Sequence, residues 1–278
     1  MADLFPDTRL TLLGRLQTRS MGKQWEQSWG EFFNLYHDII KTCVKGAFYR
    51  KGWKSLADAD QNEVAMEVIH AIYKDNKTGT FIELDFSKGR FRQIIQAICS
   101  HKVSDFIRSK KRFKNHRPIE DVQVDPEVNK DANLMDDQHQ QSENRAFLKA
   151  QVATLMDALH AKVSPQAYQI FERVKLLGDE AKDVAADMGI SRGVVDNSIH
   201  KTKKILKELI HGSGISKEFM PDAEQTQVIS LETLTADESL NELGKLYQEH
   251  EAFQQSPEHQ ALSKRFEQTV RESEKLAE

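Results

Sequence analysis

The sequence predicts an all-α protein: two small helical domains joined by a flexible acidic linker, followed by a helical C-terminal extension. Three observations carry this. Apolar residues recur at three- and four-residue steps through most of the chain, the period of helices buried along one stripe. Alternating apolar and polar runs of the kind that mark strands are nearly absent. Glycine, proline and acid-rich stretches cut the helical segments apart at a few places only. A length of 278 residues suits about two small domains.

Residues 1–19 form a lead-in in which acidic and basic residues are mixed. That mixture argues against a secretory signal, and no apolar run approaches the roughly 18 residues of a membrane span. A cytoplasmic protein with no membrane partner is expected. The first domain is placed at 20–115. Trp25, Trp29, Phe32, Phe33, Tyr36, Ile39, Ile40, Cys43, Ala47 and Phe48 draw one apolar stripe along a long helix that Gly52 closes. A second helix, capped near Ser55 or Asp58, carries Val64, Val68, Ile69 and Ile72. A third runs from about Phe91 to Arg112, with Ile94, Ile95, Ile98 and Phe106 turned inward. Cys43 and Cys99 both fall on apolar stripes, which favours buried thiols over a disulfide or a metal site.

The linker is placed at 116–144. Residues 118–144 hold eight acidic residues against one lysine, with Pro118 and Pro126, a composition suited to a solvated connector. The second domain is placed at 145–211. Its first helix carries Phe147, Leu148, Val152, Leu155, Met156 and Leu159. Its second opens at Ser164-Pro165, serine as N-cap and proline at the first helical position. Residues 212–278 are an acidic extension with fourteen acidic and six basic residues. Two helices are expected there, near 237–253 and 257–276, with apolar positions Leu240, Leu243, Leu246, Phe253, Leu262, Phe266 and Val270.

Within the second domain, Ala185, Gly189 and Val195 stand at the four- and six-residue spacings of a helix-turn-helix. Ala185 is small where a second helix crosses close, and Gly189 permits the positive φ of the turn. Ser191 is placed to cap the second helix, with Ile190 and Val195 as a hydrophobic staple. Val195, Ile199, Thr202, Leu206 and Leu209 then face the core. Arg192, Gly193, Asp196, Asn197, His200, Lys203, Lys204 and Lys207 fall outside, with Lys201 at the boundary. A polar, cationic helix face of this kind suits the DNA major groove. The same spacing also suits an ordinary helical hairpin with a solvated lysine face; the cap and staple residues favour the first reading.

Residues 88–117 hold ten lysines and arginines and one acid, Asp105. So asymmetric a block in a chain of formal net charge -4 points to a polyanion. Lys110, Lys111, Arg112, Lys114 and Arg117 cluster where they could clamp phosphates. Arg90 and Arg92 stand beside Phe86 and Phe91, a pairing suited to unstacked bases. A solubilising charged face is the plain alternative, although such faces usually mix signs.

These elements together resemble the extracytoplasmic-function (ECF) group of the sigma-70 family, over about residues 8–211. LDFSKGRFRQIIQAICSHKVSDFIRSKKR resembles the family's region 2 signature, and DADQNEVAMEVIHAIYK its acidic polymerase-docking helix. SPQAYQIFERVKLLGDEAKDVAADMGISRGVVDNSIHKTKKILKEL resembles region 4. The start TRLTLLGRLQ and the long tail are similar to a planctomycete-like group with a C-terminal extension. The resemblance implies an alternative sigma factor whose partners are core RNA polymerase, promoter DNA in duplex and melted form, and an anti-sigma factor. It implies that Asp60, Glu63 and Glu67 meet the polymerase, with Met66 where the family carries glutamine. It implies that Phe86, Lys88, Arg90, Phe91, Arg92, His101, Lys102, Arg108, Lys110, Lys111 and Arg112 meet the minus-ten element and the open strand. Ile94 and His101 stand where the family often has tryptophan and asparagine. The minus-thirty-five element falls to Ser191, Arg192, Gly193, Asp196, Asn197, His200, Lys201, Lys203 and Lys204. Ser198, Lys201 and Lys203 replace the usual arginines and lack their bidentate fork. The extension is expected to fold back on a DNA-binding or polymerase-binding surface, a solvated tail being the alternative.

Two other classes compete. A free-standing helix-turn-helix regulator accounts for 145–211 but leaves the acidic helix and the Phe/Arg loop unexplained. An enzyme acting on nucleic acid would need a metal-spaced cluster, a nucleophile elbow or a phosphate loop, and the sequence offers none. No cofactor, metal or catalytic residue is therefore expected.

Overall fold

The computed structural model describes residues 9–17, 23–53, 57–78, 90–114, 132–212 and 240–275, and every regular element among them is helical. They fall into two compact units. One takes Leu12–Ala146 with Ser263–Glu278; the other takes Phe147–Leu262 together with Met1–Thr11.

In the first unit α2 (Lys23–Arg50), α3 (Asp58–Thr78) and α4 (Arg90–Lys114) pack against one another. The expected aromatic stripe of α2 is buried throughout, from Trp25 to Phe48. Its rings interlock edge-on and stacked, Trp29 against Phe32 at 5.3 Å and Phe32 against Tyr36 at 4.7 Å. Just past the end of α2 the chain turns at Gly52, whose N–H donates to the Tyr49 carbonyl at 2.8 Å. From α3 the core takes Val64, Val68, Ile69 and Ile72. From α4 it takes Ile95, Cys99, Val103 and Phe106. Ile94 and Ile98, expected inward, are only half-buried, because they flank that row. Cys43 and Cys99 are buried and not joined in a disulfide. The lead-in contains a helix of its own, α1 (Arg9–Gln17), with Leu12, Leu13 and Leu16 buried and Arg15 paired to Glu31.

Two segments join this unit that the sequence does not place there. Residues 132–144, expected within a flexible linker, are the first turns of α5 (Ala132–Lys162). Glu143 is fully buried, takes both Arg50 Nη atoms at 3.3 Å on Oε1 and the Gln96 amide at 2.8 Å on Oε2. A carboxylate out of water is tolerable only with such partners. Gly46 leaves the room: a Cβ there would lie 2.6 Å from Glu143 Oε1. The second segment is the end of α10 (Pro257–Lys275). Its Phe266 is fully buried, stacked on Phe33 at 5.3 Å and edge-on to Trp29 and Tyr73.

The second unit opens on the remainder of α5. Ser164 caps α6 (Pro165–Phe171) with its hydroxyl accepting from the Ala167 N–H at 3.3 Å, and Pro165 follows as expected. α6 runs into a π-helical turn, Glu172–Leu177. Then come α7 (Ala181–Asp187), α8 (Arg192–Gly212) and α9 (Leu240–Gln255). Leu240, Leu243 and Leu246 of α9 enter one core with Val152, Leu155, Met156, Leu159, Phe171, Leu206 and Leu209. α9 comes so close to the π turn that a Cβ on Gly244 would lie 2.5 Å from the Leu176 carbonyl oxygen. Gln248 donates to that same carbonyl at 3.1 Å, which satisfies a backbone group the wide turn leaves open.

Candidate nucleic-acid interface

α7 and α8 form a helix-turn-helix. At the turn Gly189 takes φ +64°, the left-handed region that suits glycine, as the spacing predicts. The Gly189 and Ile190 N–H groups donate back to the Ala186 and Ala185 carbonyls at 3.2 and 3.0 Å, so the turn satisfies its own backbone. Ala185 and Val195 are buried with Ile170, Val184 and Ile199, and Ile190 packs against the same cluster, which is the expected staple. Arg173 braces the motif from the π turn, its guanidinium meeting Asp179 and Asp187, each at 2.8 Å.

This packing decides which side of α8 faces outward. Val195, Ile199, Thr202, Leu206 and Leu209 are buried, as expected. Ser191, Arg192, Gly193, Asp196, Asn197, His200, Lys201 and Lys204 are exposed, and Lys203 is half-buried. Arg192 Nε lies 3.7 Å from Asp196 Oδ2, one turn on, so an acid stands beside the arginine on this exposed row. The row offers guanidinium, amide, imidazole and ammonium donors from one rigid helix, chemistry fit for phosphate oxygens and base edges. Val194 shares this surface at 49% exposure, and the sequence reading passed it over. Its signal was available, since it is an apolar residue lying off the core stripe.

The basic set of the first unit is only partly in view. His101, Arg108 and Lys110 of α4 are exposed and Lys102 is half-buried. Arg108 pairs with Asp105 at 3.2 Å. Lys110 lies over the Phe106 ring and reaches Asp60 of α3 at 3.3 Å, joining a residue expected at DNA to one expected at the polymerase. Arg90, Phe91 and Arg92 open α4, and Lys111 and Arg112 lie in its last turns; their side chains are outside the described residues, as are Phe86 and Lys88 altogether.

On α3, Glu63 and Glu67 are exposed one turn apart, and Asp60 is half-buried. Met66, expected among the polymerase contacts, is 8% exposed and belongs to the core. It stands four residues after buried Asn62 and three before buried Ile69, so helical spacing turns it inward. Of the extension, helix α9 packs on the core side of α8, sharing a cluster with its buried Leu206, Leu209 and Ile210.

Buried titratable groups here have structural surroundings. Burial, with the Glu143 carboxylate adding to it, pushes the Cys99 thiol well above its ordinary value, so it is an inert thiol. Burial first, then Lys74 and Arg265, hold the His70 imidazole below its usual range. A cleft of about 330 Å³ in the first unit is lined by Glu26, Glu31, Glu267 and Arg271, a lining too acidic for a phosphate. No group of His, Cys, Asp and Glu that could hold a metal occurs among the described residues, and none of their helices is long and apolar enough to cross a membrane. A scan of family models finds no match to this chain, and searches of curated proteins and of solved structures likewise find none.

Proposed function

We propose that this chain is an alternative sigma factor of the ECF type, a non-enzymatic subunit that directs core RNA polymerase to selected promoters. Its region 2-like part is residues 20–115 and its region 4-like part 145–211, with the segment between them and the acidic extension completing the chain. The observation that carries the reading is the buried-to-exposed partition of α8: a helix-turn-helix holds its apolar row inside and turns Arg192, Asn197, His200 and Lys204 outward. Those groups would meet the minus-thirty-five duplex. The loop ahead of α4 and the basic residues His101, Lys102 and Arg108 would meet the minus-ten element and its open strand. Unstacking a base there costs a few kcal/mol, which cationic and aromatic side chains offset.

Glu63 and Glu67 support the polymerase half of the reading. They are exposed on a helix whose other side is fully committed to the core, so they contribute little to folding. Charge reversal of both, Glu63→Lys with Glu67→Lys, is expected to abolish co-purification with core polymerase while leaving the helical circular dichroism unchanged. Undiminished co-purification would remove α3 as the docking helix. A chain that never binds core but selects a DNA sequence would be the free-standing regulator instead.

A further inference from the structure

We propose that Val194 reads a thymine methyl group in the duplex that α8 enters, an assignment that rests on the DNA-binding reading of α8. Val194 lies in the first turn of α8 and is 49% exposed, whereas its neighbour Val195 is fully buried. A single exposed valine says little by itself. Its surroundings say more. With Asn197 and Lys201 it forms one stripe at three- and four-residue spacing, and both of those are exposed. Arg192, with Asp196 at 3.7 Å, stands two residues away.

In the major groove each base pair shows its own pattern, and the thymine methyl is the one apolar feature. A stripe that carries an amide and a cation therefore covers hydrogen-bonding edges and phosphates, and Val194 supplies the complement to the methyl. Its branched side chain has few rotamers to lose on contact. Gly193 points the same way. A Cβ there would meet nothing nearer than Ser191 Oγ at 4.0 Å, so no contact within the protein calls for a glycine. Close approach of an external surface to this turn does.

The test selects duplexes from a randomised pool with the full chain, alone and bound to core polymerase. Deoxyuridine then replaces each thymine of the enriched duplex in turn. At one position the loss of the methyl should weaken binding about fourfold, the worth of one buried methyl-sized group. Val194→Ala, which removes no core contact, should weaken binding to the thymine duplex to a similar extent. It should show no further loss on deoxyuridine substitution at that position, because the two changes remove one contact. An enriched duplex without thymine, a Val194→Ala protein that binds as the parent does, or a deoxyuridine effect unchanged in the variant would each overturn the assignment. No enrichment in either preparation would overturn the DNA-binding role of α8, and Val194 with it.

Discussion

Gly244 shows how much can rest on one missing atom. Its hydrogen faces the Leu176 backbone, and a methyl group in its place would lie 2.5 Å from the carbonyl oxygen and 2.8 Å from Cα. Backbone cannot step aside as a flexible side chain can, so Gly244→Ala should destabilise the helix-turn-helix unit by about 1–3 kcal/mol. Urea unfolding measures it, and a variant as stable as the parent would mean that α9 is not seated there. Individual residues were legible where their neighbours share their period. The outward row from Ser191 to Lys204 follows directly from the inward spacing of Val195, Ile199, Thr202 and Leu206. Met66 was legible from its period but was placed against it, and Glu143 was not legible. A family likeness placed Met66 outward although Asn62 and Ile69 put it inside. Glu143 sits in an acid-rich stretch, and nothing near it announces a partner 93 residues away in Arg50.

At the scale of elements, the extension is the clearest case of partial legibility. Helices expected near 237–253 and 257–276 are found at Leu240–Gln255 and Pro257–Lys275, because periodicity and Pro257 mark them locally. What they pack against is a long-range matter that periodicity does not encode. α9 completes the core of the second unit, and the end of α10 completes that of the first. A chain cut at Gly212 should therefore lose cooperative unfolding, and Phe266→Ala should cost about 3–5 kcal/mol, as for a large side chain removed from a core. Thermal melts of both variants check this; parent-like melts would reduce the extension to an appendage. His70 adds a pH dependence. It stacks on Phe266 at 5.9 Å, and burial with Lys74 and Arg265 lowers its pKa from 6.5. The neutral form is thus favoured in the folded state, and the unfolded chain takes up the proton first. Stability present above about pH 6.5 should fall as pH drops through the lower folded value. His70→Gln should flatten that slope, and an unchanged slope would assign it elsewhere.

For the whole molecule, the formal charge of -4 conceals a division of labour. Ten cations gather in residues 88–117, more lie along the outer row of α8, and acids dominate 118–144 and the extension. Binding to DNA through such patches should weaken steeply with added salt, since each neutralised phosphate releases counterions. The exposed acids of α3, proposed to meet the polymerase, occur in the same chain as the helix-turn-helix, and on the proposed reading that combination separates a sigma factor from a simple operator-binding protein. The most direct test is run-off transcription by sigma-free core polymerase on genomic fragments, with and without the full chain. The expected result is discrete start sites that appear only with the chain and disappear on charge reversal at Glu63 and Glu67. Transcription that stays promoter-independent at every chain and salt concentration would contradict the assignment.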